Sequence, residues 1–205
     1  MRLLYFIAVY FFALNFYAQD AQTVIKKLQE KFNTIQDFNS SFKQTSDGNI
    51  ADKNFVLAGK FNYKKKNKFK VELKDINLIS NGHTIWNYDK KLNRVVINTV
   101  AENQSFLNLD DIIIEYPEQC GLQLVKDSEN ENFLVVKLVP NNNKLEFASA
   151  KIWIDKSYIL NKIEIQDFSN STYKVELTNI KINQNLHDNK FNFIVPEGCK
   201  VIDFR

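Results

Sequence analysis

The chain has 205 residues, 44% of them hydrophobic and 25% charged, and its net charge is +3. This composition is typical of a folded globular protein and unlike that of a disordered chain. The basic residues are spread along the sequence, whereas a nucleic-acid-binding domain concentrates them in a patch, so we expect no nucleic-acid partner. Phenylalanine is abundant, with 17 residues against two tryptophans and one methionine, which favours a β-rich fold.

Residues 1–18 have the pattern of a cleavable signal peptide. Arg2 supplies the positive charge, Leu3 to Phe16 forms the apolar stretch, and Ala18 is a small residue at a plausible cleavage point. The alternative, a membrane anchor, is disfavoured because the stretch is shorter than the ~20 residues that cross a bilayer. No cysteine follows directly that could carry a lipid, so we expect residues 19–205 to be one soluble domain beyond the inner membrane.

The first segment after this stretch has the pattern of an amphipathic helix. Asp20 is a good N-cap residue, and Val24, Leu28 and Phe32 recur at the spacing of one helical face. Such a helix needs an apolar surface to cover.

From Phe38 onward the apolar period changes to two, which indicates β-strands. Residues 55–63 and 68–74 alternate on either side of Lys65-Lys66-Asn67, which predicts a hairpin. Many short strands at hairpin spacing predict an antiparallel sheet that curls into a barrel or a sandwich. The further predicted strands are His83 to Asp89, Leu92 to Asn98, Phe133 to Val139, Leu145 to Asp155, Ile159 to Gln166, Tyr173 to Asn183 and Lys200 to Phe204.

A second helix is predicted between the strands, over Leu107 to Tyr116. Ile112 and Ile113 belong to its apolar face, and Pro117 is expected to end it. We expect this helix to lie over one mouth of the sheet.

The sequence offers no catalytic constellation. His83 and His187 are the only histidines and stand in polar surroundings, and no HExxH, CxxC or glycine-rich phosphate loop occurs. The pair Asp110-Asp111 is more simply a helix surface than a catalytic dyad. We therefore expect a protein that is not an enzyme and has no cofactor and no metal site.

Cys120 and Cys199 are the only cysteines. In an oxidising compartment they could form a disulfide, if their Cα atoms come within ~7 Å, or stay as two buried, unpaired thiols. The sequence leaves both alternatives open.

Four segments of the chain resemble the LolA family of periplasmic lipoprotein chaperones. They occur in the family's order and, with the leader and first helix, cover most of the mature chain. They are Ser41 to Gln44 (SFKQ), Gly59 to Phe69 (GKFNYKKKNKF), Ile79 to Asp89 (ISNGHTIWNYD) and Phe191 to Asp203 (FNFIVPEGCKVID).

This resemblance implies a mainly β fold, an incomplete antiparallel β-barrel closed by an α-helical lid over a hydrophobic cavity. Its implied cargo is lipoproteins, which are held by their acyl chains. The implied partners are an inner-membrane lipoprotein-releasing ABC transporter, which loads the cargo, and an acceptor at the outer membrane. The implied carrier is a monomer. The implied cavity residues are Phe61, Tyr63, Phe69, Val71, Leu73, Trp86 and Tyr88, although alternation alone does not show which strand face points inward. The implied lid residues are Val24, Leu28, Phe32, Ile112 and Ile113.

One departure from the family pattern concerns the lid. Where the family has Arg followed by Pro, with the arginine donating to carbonyls of the helices, this chain has Lys65-Lys66. The resemblance assigns Lys65 as the lid latch, but lysine lacks the planar fork of arginine, so we expect a different or weaker latch. Two alternatives for function stay open, namely a carrier of another lipid or a pigment precursor, and a lipid or stress sensor of the RseB type.

Overall fold

The computed structural model describes residues 21–47, 55–100, 108–127 and 130–205. The predicted signal peptide and Asp20 therefore lie outside the described residues. Twelve strands form one sheet. Their bounds are β1 Asp37–Asp47, β2 Phe55–Lys64, β3 Lys68–Glu72, β4 Ile76–Asn81, β5 Thr84–Asp89, β6 Arg94–Thr99, β7 Cys120–Val125, β8 Leu134–Pro140, β9 Ser149–Ile154, β10 Leu160–Gln166, β11 Thr172–Ile182 and β12 Lys200–Asp203.

In the described part of the chain, two longer helical segments and one 3-10 turn, Asp188–Phe191, accompany the sheet. The first, α1, covers residues 21–34, and the second, α2, covers residues 109–118. Both predicted helices are confirmed. Pro117 does not end α2. The segment contains a π-helical turn, Asp111–Glu115, which is followed by a short α-helical turn, Tyr116–Glu118. Pro117 lies at the start of this second turn, where its missing N–H costs little. Among the described helices, none has the length and apolarity needed to cross a bilayer.

The sheet is two meanders joined by one long-range pairing. The spatial order of strands is β12-β6-β5-β4-β3-β2-β1-β11-β10-β9-β8-β7, so β1 pairs with β11 although they lie far apart in sequence. The pairs are antiparallel except that β12 runs parallel to β6. In the described part of the chain the sheet does not close, and β12 and β7 are its edges. The predicted fold class, an incomplete antiparallel barrel with a helical lid, is confirmed.

Three strand predictions need correction. The sequence reading missed β4 and β7, and it extended β9 back to Leu145. In β4, the adjacent residues Ile79 and Ser80 are both buried, so the strand shows no simple inside–outside alternation. Before β9, Phe147 packs against Tyr116 of α2 at 5.3 Å between ring centroids, and this segment is irregular.

The main core lies between the sheet and the two helices, on what we call the lid face. Its strand residues include Phe38 and Phe42 from β1, Val175 and Leu177 from β11, and Ile152 from β9, all buried. The opposite surface, which we call the outer face, carries its own buried residues. They include Ile79, Val95, Ile97 and, from the segment that precedes β12, Phe191.

A lidded apolar pocket as candidate functional site

The lid consists of the apolar stripes of α1 and α2. Its helix residues Val24, Leu28, Phe32, Ile112 and Ile113 are all buried in the main core cluster. A hydrogen bond ties the two helices together, since the side-chain amide of Gln29 donates from Nε2 to the carbonyl oxygen of Ile113 over 3.0 Å. The helices therefore cover the sheet as one connected layer.

Two of the polar contacts that hold this layer on the sheet come from β2 and the turn that follows it. The Nζ of Lys65, in the β2–β3 turn, donates to the carbonyl oxygen of Asn33 near the end of α1 over 2.6 Å. On the other helix, the phenol of Tyr63 donates to Oδ2 of Asp110 over 3.1 Å. Both contacts come from the same end of β2, so that end of the sheet anchors both helices.

The environment of the Tyr63–Asp110 pair is strongly desolvated. Tyr63 is buried, with its ring centroid 5.5 Å from that of Phe32 and 5.3 Å from that of Phe38. Burial, followed by the negative charge of Asp110, raises the pKa of the Tyr63 phenol. Burial also raises the pKa of Asp110, although the hydrogen bond from Tyr63 and the charge of Lys65 act against it. The phenol therefore stays protonated and donates at neutral pH.

A second carboxylate on α2 is also perturbed. Burial first, and then the charges of Glu115 and Asp110, raise the pKa of Asp111 to about 6. Four acidic residues, Asp110, Asp111, Glu115 and Glu118, thus lie on one short helix, and protonation of Asp111 as the pH falls relieves part of their repulsion. No described group of three His, Cys, Asp or Glu side chains is arranged to hold a metal ion.

Beneath the lid lies an apolar pocket with an envelope of about 350 Å³. Only about 20 Å³ of it admits the centre of a water molecule, which is room for about one water. This space is too small for an acyl chain, and we call this arrangement of the two helices the closed state. Six of the lining residues are Leu28, Phe32, Phe38, Ile113, Leu177 and Ile180.

The predicted site residues divide between the two faces of the sheet. Phe61, Tyr63, Phe69 and Val71 are buried in the main core, and Leu73 packs against it, but none of these five lines the pocket in the closed state. The predicted lid residues Leu28, Phe32 and Ile113 do line it.

The placement of Trp86 and Tyr88 among the cavity residues needs correction. Both rings contact Phe193, at 6.4 and 5.1 Å between centroids, while Ile85, which directly precedes Trp86 on β5, belongs to the main core. Because successive side chains of a strand point to opposite faces, Trp86 and Tyr88 lie on the outer face.

Sequence reasoning missed the contribution of β10, β11 and the turn before β10 to the pocket. Leu177 and Ile180 of β11 line it because β11 pairs with β1, which sets Leu177 opposite Phe42 and Ile182 opposite Phe38. Tyr158, in the β9–β10 turn, also lines it and accepts a hydrogen bond from Nζ of Lys27 of α1 over 3.2 Å. The alternation of Val175 and Leu177 indicates that one face of β11 points inward, but it does not show that this face borders the pocket.

The two cysteines are free thiols, so the disulfide alternative is not realised in this structure. Cys120 starts β7 at one edge of the sheet, whereas Cys199 precedes β12 at the other edge. Burial raises the pKa of the Cys120 thiol to about 11, which keeps it protonated and unreactive.

An open β-sheet whose apolar face is covered by a pair of helices, with an apolar pocket between the two layers, is the architecture of a protein that binds an apolar ligand. The family model described as "Outer membrane lipoprotein carrier protein LolA" matches residues 33–194. The chain belongs to this family.

Two relatives illustrate the sequence similarity. The outer-membrane lipoprotein carrier protein of Francisella philomiragia is 27% identical over 203 residues, covering 94% of this chain and 93% of that protein. An uncharacterized protein of Methanocaldococcus jannaschii is 27% identical over 205 residues, covering 97% of this chain. The chain spans 58% of the length of that second relative.

Two solved structures share the fold. An uncharacterized conserved protein from Thermus thermophilus superposes with a TM-score of 0.56 at 15% identity, covering 90% of this chain and 99% of that one. The lipoprotein LppX of Mycobacterium tuberculosis superposes with a TM-score of 0.54 at 10% identity, covering 82% and 98% of the two chains. At these identities the similarity concerns the fold alone.

Proposed function

We propose that this protein carries lipoproteins by their acyl chains from the inner to the outer membrane. The observation that carries the proposal is the closed apolar pocket under α1 and α2, whose two lid segments are fastened to the sheet by a few polar contacts. Family membership supports the same reading.

The energetics of the lid suit a reversible carrier. An acyl chain gains about 0.8 kcal/mol for each methylene removed from water, so diffusion through an aqueous compartment needs an apolar container. In the closed state the buried lid residues Leu28, Phe32 and Ile113 occupy the place where a chain would lie. Loading exchanges lid contacts for cargo contacts, and release restores the lid contacts. The net free energy of cargo binding is therefore smaller than the free energy gained by removing the acyl chain from water, so the cargo can leave again.

The latch assignment of Lys65 is part of this proposal. Its Nζ bonds to the Asn33 carbonyl, and Asn33 adjoins the pocket residue Phe32. The contact is exposed, so its strength is modest, about 0.2 to 1 kcal/mol by analogy with exposed ion pairs. Lys65→Met should raise the rate at which a fluorescent fatty acid enters the protein, whereas Lys65→Arg should keep the rate near that of the unmodified protein. Equal entry rates for all three would remove Lys65 from the mechanism.

Residues 1–18, as a signal peptide, would direct the chain to the periplasm. The proposed partners there are an inner-membrane lipoprotein-releasing ABC transporter that loads the cargo, acylated lipoproteins as the cargo, and an acceptor at the outer membrane. A carrier that closes its own lid needs no second copy, so we propose a monomer.

The test is a release assay with spheroplasts. The purified protein is added, and radiolabelled lipoproteins are followed into the soluble fraction. Release that depends on the protein supports the proposal, and a pocket-filling variant, Ile180→Phe, should reduce it while Trp86→Ala on the outer face should not. If no lipoprotein is released, the proposal fails. Lipids extracted from the native protein and identified by mass spectrometry would then show whether it carries a different lipid.

A further inference from the structure

A cluster of lysines stands beside the pocket, at the end of the sheet where the β2–β3 turn lies. Lys64, Lys65, Lys66 and Lys68 fall within five consecutive positions, and we call them the lysine tip. Lys190, from the segment before β12, joins them on the outer face and donates from Nζ to the Asn62 side chain over 3.0 Å. The lysine tip touches the lid directly, since Lys65 binds the end of α1.

Little negative charge offsets this cluster. Within the described residues, the carboxylate that forms ion pairs with it is Asp188, which lies 2.6 Å from Lys64 and 3.1 Å from Lys68. These two lysines lower the pKa of Asp188 to about 2, so it stays ionised. Four lysines of the tip and Lys190 thus meet a single ion-pairing carboxylate, and Lys66 is exposed. The cluster keeps a clear positive excess.

The lysine tip is held rigidly against the neighbouring hairpin. Gly82, in the β4–β5 turn, has φ +93° and packs against the Lys66 carbonyl oxygen so closely that a Cβ would collide with it. The hydroxyl of Ser80 donates to the Asn67 carbonyl oxygen over 2.8 Å. Between the two turns and the segment that precedes β12 lies an open polar cleft of about 580 Å³, bordered by Lys66, Lys68, His83 and the carboxylate of Asp188.

We propose that the lysine tip docks this protein on an anionic lipid surface, with the cleft facing the headgroups and the lid end of the pocket facing the bilayer. The cluster is made of lysines without arginine or an exposed aromatic ring. Protein–protein interfaces are depleted in lysine and enriched in arginine and aromatic residues, whereas a cluster of basic residues, lysine included, is attracted to anionic lipids. The proposal concerns the membrane that such a carrier would approach, and in that sense it rests on the proposed function.

Docking is tested without lipoprotein, by sedimenting the purified protein with phosphatidylcholine vesicles that contain or lack phosphatidylglycerol. Binding should require phosphatidylglycerol and should disappear between about 0.1 M and about 1 M salt, as the Debye length falls from about 10 to about 3 Å. A lysine near an anionic surface contributes about fivefold to the partition coefficient. Lys66→Gln should therefore lose about fivefold and Lys66→Glu about 25-fold.

The matched control is Lys91→Glu, because Lys91 is an exposed lysine in the β5–β6 turn at the opposite end of the sheet. It changes the net charge as much as Lys66→Glu does, and it should leave vesicle binding within about twofold. Thermal melts followed by circular dichroism show whether each variant folds. If Lys66→Glu does not fold, Lys66→Gln still tests the proposal.

Three results would overturn the docking proposal. The first is vesicle binding that needs no phosphatidylglycerol, and the second is an equal loss of vesicle binding in the Lys66 and Lys91 variants. The third is binding to native membranes that disappears when those membranes are treated with a protease, together with no binding to protein-free vesicles. The last result would point to an acidic protein partner. The vesicles hold no lipoprotein, so the two proposals are tested separately. Release of lipoproteins without vesicle binding would refute docking alone, and vesicle binding without release of lipoproteins would refute the proposed function alone.

Discussion

The Tyr63–Asp110 hydrogen bond should be the main polar contact that holds α2 on the sheet, and Tyr63→Phe removes it with little change in packing. The phenylalanine ring can keep the contacts with Phe32 and Phe38. What is lost is the 3.1 Å bond to the Asp110 carboxylate, which is half-buried and is left with less compensation for its desolvation.

The size of the effect follows from the chemistry of the bond. Hydrogen bonds to charged groups contribute about 1.5 to 3 kcal/mol, and partial access of water to Asp110 brings the expected loss to about 1 to 2 kcal/mol. For a chain of this size, each kcal/mol corresponds to about 2 to 4 °C in melting temperature. We therefore expect Tyr63→Phe to melt about 2 to 8 °C lower and to admit an apolar dye faster than the unmodified protein.

Urea unfolding of Tyr63→Phe, Asp110→Asn and the double variant forms a double-mutant cycle that isolates the pair. A coupling energy of about 1 kcal/mol or more is expected because the two groups are in direct contact. If Tyr63→Phe unfolds at the same urea concentration as the unmodified protein, or if the two substitutions are additive, the bond does not hold the lid and the reasoning is wrong.

Three further predictions concern charge, the pocket and backbone spacing. The pKa of Asp111 in the folded protein, about 6, exceeds its unfolded value of 3.8, so its contribution to the free energy of unfolding falls as the pH rises from about 4 to about 6. Asp111→Asn should remove this dependence of stability on pH. At pH 7 the variant should therefore unfold at a higher urea concentration than the unmodified protein. Ile180→Phe should weaken binding of a fluorescent fatty acid, while Trp86→Ala, on the outer face, should lower the melting temperature without changing affinity. Gly59→Ala should destabilise the protein by about 1 to 3 kcal/mol in urea unfolding, because its Cβ would collide with the Glu72 carbonyl; an unchanged midpoint would contradict the strand spacing.

Most of the local elements, although not β4 or β7, could be predicted from the spacing of apolar residues in the sequence. A three-and-four spacing of apolar residues can only be satisfied by a helix that covers a surface, and it predicted α1 and the buried positions Val24, Leu28 and Phe32. A period of two predicted most of the strands, and the β2–β3 hairpin followed from its turn residues. These patterns are local, so a single sequence contains them in full.

Only the tertiary structure decided which faces and which distant residues meet. A period of two shows that Trp86 and Tyr88 share a face, but not that this face is the outer one, because the choice depends on what covers each side. The pairing of β1 with β11 sets Leu177 opposite Phe42, although the two residues lie far apart in the chain, and it places the pocket beside β11. Such contacts arise from packing the whole sheet against the lid, and no local spacing in the sequence encodes them.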